Sequence, residues 1–273
     1  MGKERSHLLV FVLLNEPRLP DAEQIAARLA ARASRYELSW EEPAGQREPN
    51  RAVQFYDLNG QRVTVGLMPV PVPWSDLEGP CATNRFWPQA TEVCRAHRAH
   101  LVVMLHSERE DPVWNHLAMT HLIAALVEAV GALAVYWGAG SVVQPAELFC
   151  RWAAEASPND LPLFLWVDFR LFAHEGHPFL ATTGLTALGV MEIEGGSRRL
   201  KPSELLGRVY DLAHYACLEG PVLNDGDSIG ADEQERIRIR HADSVWERPG
   251  PVIRVDFDGE ERPRGLLSRL FGR

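Results

Sequence analysis

Seven apolar residues in a row, Leu8-Leu-Val-Phe-Val-Leu-Leu14, have the length of a strand and no polar alternation, the pattern of a strand covered on both faces. Pro20-Asp-Ala-Glu23 then places a proline and acids in a first turn, with Ile25 and Leu29 one turn apart, which predicts a helix to about Ser34. Two further runs, Val53 to Leu58 and Arg62 to Met68, flank Asn59-Gly60, the clearest hairpin signal in the chain. A proline-rich loop over Pro69 to Pro80 separates this hairpin from a helix around Ala90 to His97 and a buried strand, Leu101 to Leu105. The order is strand, helix, hairpin, helix, strand.

Asp111 caps and Pro112 starts a periodic helix whose apolar side carries Trp114, Leu117, Ala118, Ile123, Leu126 and Val130, and Gly131 ends it. The same order of elements then recurs: strand Leu133 to Trp137, helix Pro145 to Ala156, strands Leu163 to Phe172 and Thr186 to Ile193, helix Ser203 to Cys217. Short matches fall in corresponding places, such as Gly66-Leu-Met-Pro-Val70 with Gly189-Val-Met-Glu-Ile193 and Ala96-His-Arg-Ala99 with Ala213-His-Tyr-Ala216. Internal duplication of a split βαβ unit leaves such a shared order. The expected fold is therefore α+β, two ferredoxin-like βαββαβ halves over residues 1–110 and 132–222, packed together and joined by a helix over 111–131. Arg236-Ile-Arg-Ile-Arg240 and Val252-Ile-Arg-Val-Asp-Phe257 alternate as a half-exposed pair, which predicts a C-terminal β-hairpin extension over 223–258 at a sheet edge. Residues 259–273, with Arg262, Arg264, Arg269 and Arg273 around Leu266, Leu267, Leu270 and Phe271, read as a flexible basic tail.

Composition sets limits on function. The chain has 273 residues, 46% hydrophobic and 24% charged, enough to bury a core without disulfide or metal staples. A formal net charge of -9 lacks the cationic surplus that phosphate backbones attract, so nucleic acid is not an expected partner. Cys81, Cys94, Cys150 and Cys217 lie far apart with no Cys-x-x-Cys pair, as reduced thiols of a cytoplasmic protein would. The first apolar run leads into Asn15, Glu16 and Pro17 rather than a small-residue cleavage site, and so reads as a strand and not a signal peptide. Leu117 to Trp137, the longest apolar stretch, contains His121, Glu128 and Gly131 at helical periodicity, so no membrane span is expected.

Motifs with known chemistry are weak. Trp137-Gly-Ala-Gly-Ser141 lacks the third glycine and the lysine of phosphate-binding loops and reads as a tight strand-to-helix connection. His-Glu-x-x-His does not occur. His106, Asp111, His116 and His121 gather near one strand end and one helix, but His116 and His121 diverge by roughly 140° around a helix and grip one ion poorly. His174-Glu-Gly-His177 reads as a solvated bend between Phe172 and Phe179, and Asp225-Gly-Asp227 opens like a calcium loop that has Arg236 in place of the closing glutamate. No metal or cofactor is expected and no residue is given a catalytic role. A nucleophilic Cys81 would need His97 or His106 brought beside it by folding.

The segment from Val72 to Pro88 gathers Trp74, Asp76, Glu78, Arg85 and Trp87 on a long loop, rigid aromatic area with a few charges, the mixture of a recognition surface. The same residues equally suit a loop folded over the sheet, with Trp74 and Trp87 as core plugs. At Gly66-Leu-Met-Pro-Val-Pro-Val-Pro-Trp-Ser-Asp-Leu-Glu78, at Ala99-His-Leu-Val-Val-Met-Leu105 and at Asn224-Asp-Gly-Asp-Ser-Ile-Gly230 with Arg236-Ile-Arg-Ile-Arg240, the chain resembles a bacterial family known only as domain of unknown function 4261, over most of Leu8 to Phe257. The resemblance supplies no catalytic residue. Members look similar to small cytoplasmic proteins found beside toxin and secretion genes, type VI secretion among them, which implies an immunity or accessory role. The expectation is a non-catalytic cytoplasmic protein whose partner is another protein, a toxin or secretion component, and not a membrane. The alternatives are a hydrolase-like enzyme using a cleft between the halves, with Cys81, His106 or Asp76 reacting, and a small-ligand-binding module.

Overall fold

The computed structural model describes residues 6–40, 52–230 and 237–258, and the chain divides into two compact units, Met1–Asp168 and Phe169–Arg273. The expected tail over 259–273 and Arg236 lie outside the described residues.

The first unit runs β1 (Ser6–Leu14), α1 (Ala22–Arg32), β2 (Leu38–Trp40), β3 (Val53–Leu58), β4 (Gln61–Met68), α2 (Trp74–Ala82), α3 (Ala90–Ala96), β5 (Ala99–Ser107), α4 (Pro112–Val130), β6 (Ala134–Trp137), β7 (Val142–Pro145), α5 (Ala146–Glu155) and α6 (Leu163–Trp166). Its strands form one sheet in the order β2-β3-β4-β5-β1-β6-β7, antiparallel at every pairing. The β3–β4 hairpin turns through Asn59 and Gly60 at φ 52° and 82°, the left-handed pair that a two-residue turn of matching twist requires. Register sorts the side chains. Leu8, Val10 and Val12 share a face with Val63, Val65, Val103 and Leu105, all buried, and α4 lies on this face between α1 and α5. Phe11 and Leu13 share the other face with Tyr136 and Val143, and there α2 and α3 cover them.

Asp111 accepts a hydrogen bond from the Trp114 N–H at 2.9 Å, and Gly131 closes α4 at φ 65°. Among the described residues α4 alone has the length and apolarity to cross a membrane, and 83% of that window is buried inside the protein, so its apolar surface serves the core.

The second unit comprises β8 (Asp168–His174), β9 (His177–Thr183), a 3₁₀ turn (Leu185–Leu188), β10 (Ile193–Gly196), α7 (Pro202–Glu219), β11 (Ser228–Ile229), β12 (Ile237–Asp243) and β13 (Pro251–Asp256), with sheet order β11-β12-β13-β10-β9-β8. Leu180, Ile193, Val255 and Ile239 share the buried face, and α7 packs against β9 and β10 through a helix side that buries Leu205, Val209, Leu212 and Ala213.

A mixed α+β protein with two sheets is what the pattern predicts, but the ferredoxin-like duplication does not describe it. Three successive antiparallel pairings separate β1 from β3, so these strands run in opposite directions, whereas a split βαβ unit needs them parallel. The strand expected to open a second half, β6, pairs with β1 in the first sheet. Other expectations shift locally. The run taken as a strand from Leu163 divides into the helical turn α6 and strand β8, and residues 186–193, also expected as a strand, hold the 3₁₀ turn and only the start of β10. Short apolar runs satisfy either conformation, and burial partners decide. β12 and β13 pair antiparallel as expected, yet β13 lies inside the sheet, parallel to β10, rather than at its edge.

Candidate functional site

Where a proline-rich loop is expected, α2 forms. Asp76 sits in its first turn, and Leu77 and Cys81, one turn apart, both turn inward. Pro80 removes only the N–H that would bond the Asp76 carbonyl, a small loss near the helix end set against the burial of both side chains. α2 and α3 are joined by residues 83–89, which Asn84 shapes: its Oδ1 accepts the N–H groups of Phe86 and Trp87, each at 2.9 Å, and its Nδ2 donates to the Val143 carbonyl of β7.

This turn fixes which aromatic faces in. Trp87 is buried at 8% exposure among Leu13, Leu77, Cys81, Ala90, Cys94 and Tyr136. Trp74 packs half-buried against the same cluster, with the Arg95 guanidinium 4.1 Å from its ring centroid. Asp76, Glu78 and Arg85 are exposed. Of the two tryptophans singled out in the sequence, Trp87 is a core plug and Trp74 lies half-buried against the same cluster, while the three charged residues decorate the solvent side of the same segment.

Phe86 takes the outward place. It is 42% exposed and is braced by two half-buried rings, Trp152 of α5 at 5.5 Å and Phe164 of α6 at 5.0 Å, which are themselves 5.9 Å apart. Three rings from separate elements thus make one surface cluster. Residue type alone could not show it, because the cluster exists only once β7 and α6 bring α5 beside the α2–α3 turn.

The reactive groups considered in the sequence do not converge. His97 uses both ring nitrogens on the backbone: Nε2 accepts the Val72 N–H at 2.8 Å and Nδ1 donates to the Cys94 carbonyl. No lone pair is left to activate Cys81. His106 lies at the far end of β5 from His100, roughly 20 Å along the strand, beside His7 with ring centroids 5.2 Å apart. Among the described residues no group of three or more His, Cys, Asp or Glu could hold a metal ion. His116 and His121 are buried inside α4's environment instead, where His116 Nδ1 donates to the Pro112 carbonyl at 2.8 Å. Trp137-Gly-Ala-Gly-Ser141 is the β6–β7 hairpin connection, not a strand-to-helix link; a Cβ on Gly140 would come within 2.0 Å of the Trp166 carbonyl oxygen, so its glycine serves close packing. Open concavities of about 630 Å³ by Phe55, Arg62 and His106, and of about 660 Å³ by His174, Arg254 and Asp258, lie on the first and second unit respectively.

In the second unit two carboxylates are withdrawn from solvent. Glu194, with no exposed area, holds Arg254 at 2.9 Å, Ser244 Oγ, and the Val245 N–H at 3.0 Å. Glu192 accepts from Thr182 Oγ1 at 2.7 Å, the Gly184 N–H at 2.8 Å, and the N–H and hydroxyl of Thr186. Glu194 thus joins the turn after β12 and strand β13 to β10, and Glu192 joins the end of β9 to the turn that follows it, since a buried carboxylate needs several donors. The stretch that carries both is also the stretch that a family model matches. Residues 181–256 match the family described as domain of unknown function (DUF4261). The DUF4261 match runs from β9 through α7 to β13 and includes the Asn224 to Gly230 and Arg236 to Arg240 motifs of the resemblance drawn from sequence, while the Gly66 to Glu78 and Ala99 to Leu105 motifs lie outside it. No curated protein and no solved structure matches the chain.

Proposed function

We propose that the chain is a non-catalytic protein-binding protein that seats its partner on Phe86, Trp152 and Phe164 of the first unit. The observation that supports it is an exposed phenylalanine held between two rings. Aromatic area braced in this way loses little side-chain entropy on docking, which is why such residues dominate binding energy. Asp76, Glu78 and Arg85 supply polar groups on the neighbouring segment. An immunity or accessory role in a toxin or secretion system rests on the family resemblance.

The test places a photo-cross-linking amino acid at position 86 of the full chain in cells and identifies the captured protein by mass spectrometry. With that protein purified, Phe86→Ala is expected to weaken binding about thirty-fold, as a hot-spot truncation of roughly 2 kcal/mol does, while the melting temperature stays put. Binding that is unchanged in both Phe86→Ala and Trp152→Ala removes the proposal.

A further inference from the structure

The turn that presents Phe86 is bracketed by two cysteines, Cys81 at the end of α2 and Cys94 in α3. Both are free and buried, they belong to one core cluster, and α2 and α3 pack on each other. Each thiol acts on the ionisation of the other. We propose that Cys81 and Cys94 are a redox pair that a two-electron oxidant of the peroxide class closes into a disulfide, fastening the base of the Phe86 turn. This deepens the docking proposal and rests on it for its consequence, though not for its chemistry.

The two sulfurs are not equivalent. The neighbouring Cys94 thiol favours the thiolate of Cys81 and lowers its pKa against the opposing effect of burial, while Cys81, together with burial, raises that of Cys94. Cys81 also keeps 5% of its surface open against 1% for Cys94. Cys81 is thus the attacking thiolate: its sulfur takes one oxygen of hydrogen peroxide, the O–O bond breaks, and a sulfenic acid and hydroxide result. Cys94 then attacks that sulfur, the S–S bond forms, and the sulfenic oxygen leaves with two protons as water. Two thiols are oxidised, one peroxide is reduced, and two waters form. Burial drives the remaining thiols the other way, Cys150 to about 11 and Cys217 to about 12, so neither competes for peroxide although Cys150 is the more exposed. With the bond closed, residues 82–93 become a covalent loop whose ends cannot part, and the Phe86 cluster is held in its docking arrangement.

Purified full-length protein is titrated with hydrogen peroxide and read by intact mass and peptide mapping. The expected result is loss of two hydrogens, a Cys81–Cys94 linked peptide formed before any change at Cys150 or Cys217, reversal by dithiothreitol, and slower proteolysis within 83–89. In Cys94→Ser the sulfenic acid at Cys81 accumulates and is trapped by dimedone. First oxidation at Cys150 or Cys217, or a Cys81 and Cys94 still reduced when those two have reacted, overturns the pair. Tighter capture of the cross-linked partner by the oxidised form supports the regulatory role, and equal affinity of both forms overturns that role while leaving the disulfide standing. Failure of Phe86→Ala to affect binding strikes the docking proposal alone, since the mass readout needs no partner.

Discussion

At the scale of single residues, neighbours with similar side chains meet opposite fates. Phe86 and Trp87 are adjacent and both aromatic, yet one is 42% exposed and the other 8%. The choice belongs to Asn84, whose carbonyl oxygen collects both of their N–H groups and whose amide grips β7. Asn84→Ala removes these three hydrogen bonds at a part-buried site and is expected to cost about 1–3 kcal/mol, read as a lower melting temperature together with a weakened Phe86 contact. Asn84→Asp keeps the two acceptor bonds and gives up the one to Val143, so its loss should be the smaller. Equal losses in the two variants would show that the β7 contact, not the turn, carries the effect. The sequence showed that this segment was rich in aromatics and charges. Which ring points outward follows from a hydrogen bond to a strand 59 residues away, and nothing local encodes that.

At the scale of elements, helices with both ends marked were legible. α1 and α4 begin at Asp21 and Asp111, each of which caps with its side chain, and α4 stops at Gly131 in the left-handed region. α2 was not legible, because Pro73 and Pro80 speak for a loop while the inward pair Leu77 and Cys81 speaks for a helix only once there is a sheet face to cover. Encasement of α4 also has a pH consequence. Burial pushes His116 from 6.5 down to about 4, against the smaller effect of its bond to the Pro112 carbonyl, and burial with the nearby Arg35 and Arg32 takes His121 to about 4 as well. The unfolded chain binds these protons near pH 6.5 and the folded chain only near pH 4. Stability is therefore whole above pH 6.5 and declines as the pH falls toward 4. For His116 the decline at pH 5 is about 2 kcal/mol. The melting temperature should drop between pH 7 and 5, and His116→Asn, though less stable at pH 7, should drop less. Parallel curves for the two proteins would rule out His116 as the cause.

At the scale of the whole molecule, each unit has its own sheet and its own buried face, and the second is organised by charge as well as by apolar contact. Glu194 lies at the centre of its sheet, opposite Arg254 on the neighbouring strand, and also pins the turn after β12 through Ser244 and Val245. Removing one member of such a pair strands the other, so Glu194→Ala is expected to cost about 3–5 kcal/mol, with hydrogen exchange in β10, β12 and β13 accelerating first. Glu194→Gln, which retains the hydrogen-bonding oxygen, should cost less. Unaltered exchange in these strands would mean that Glu194 is dispensable to the sheet. This carboxylate lies within the residues that match the DUF4261 family.

The order of most strands and helices, the Asn59-Gly60 turn and the mixed α+β class were set by the sequence itself, because each rests on local physics: side-chain period, capping, and residues that tolerate a left-handed backbone. Sheet order, the direction of β13, the helix at Trp74 to Ala82 and the cluster of Phe86, Trp152 and Phe164 were decided only by tertiary structure. Each of these depends on what a distant segment supplies, an unpaired strand edge, an apolar face to cover or a second and third ring, and a linear pattern carries no record of which distant segment will arrive.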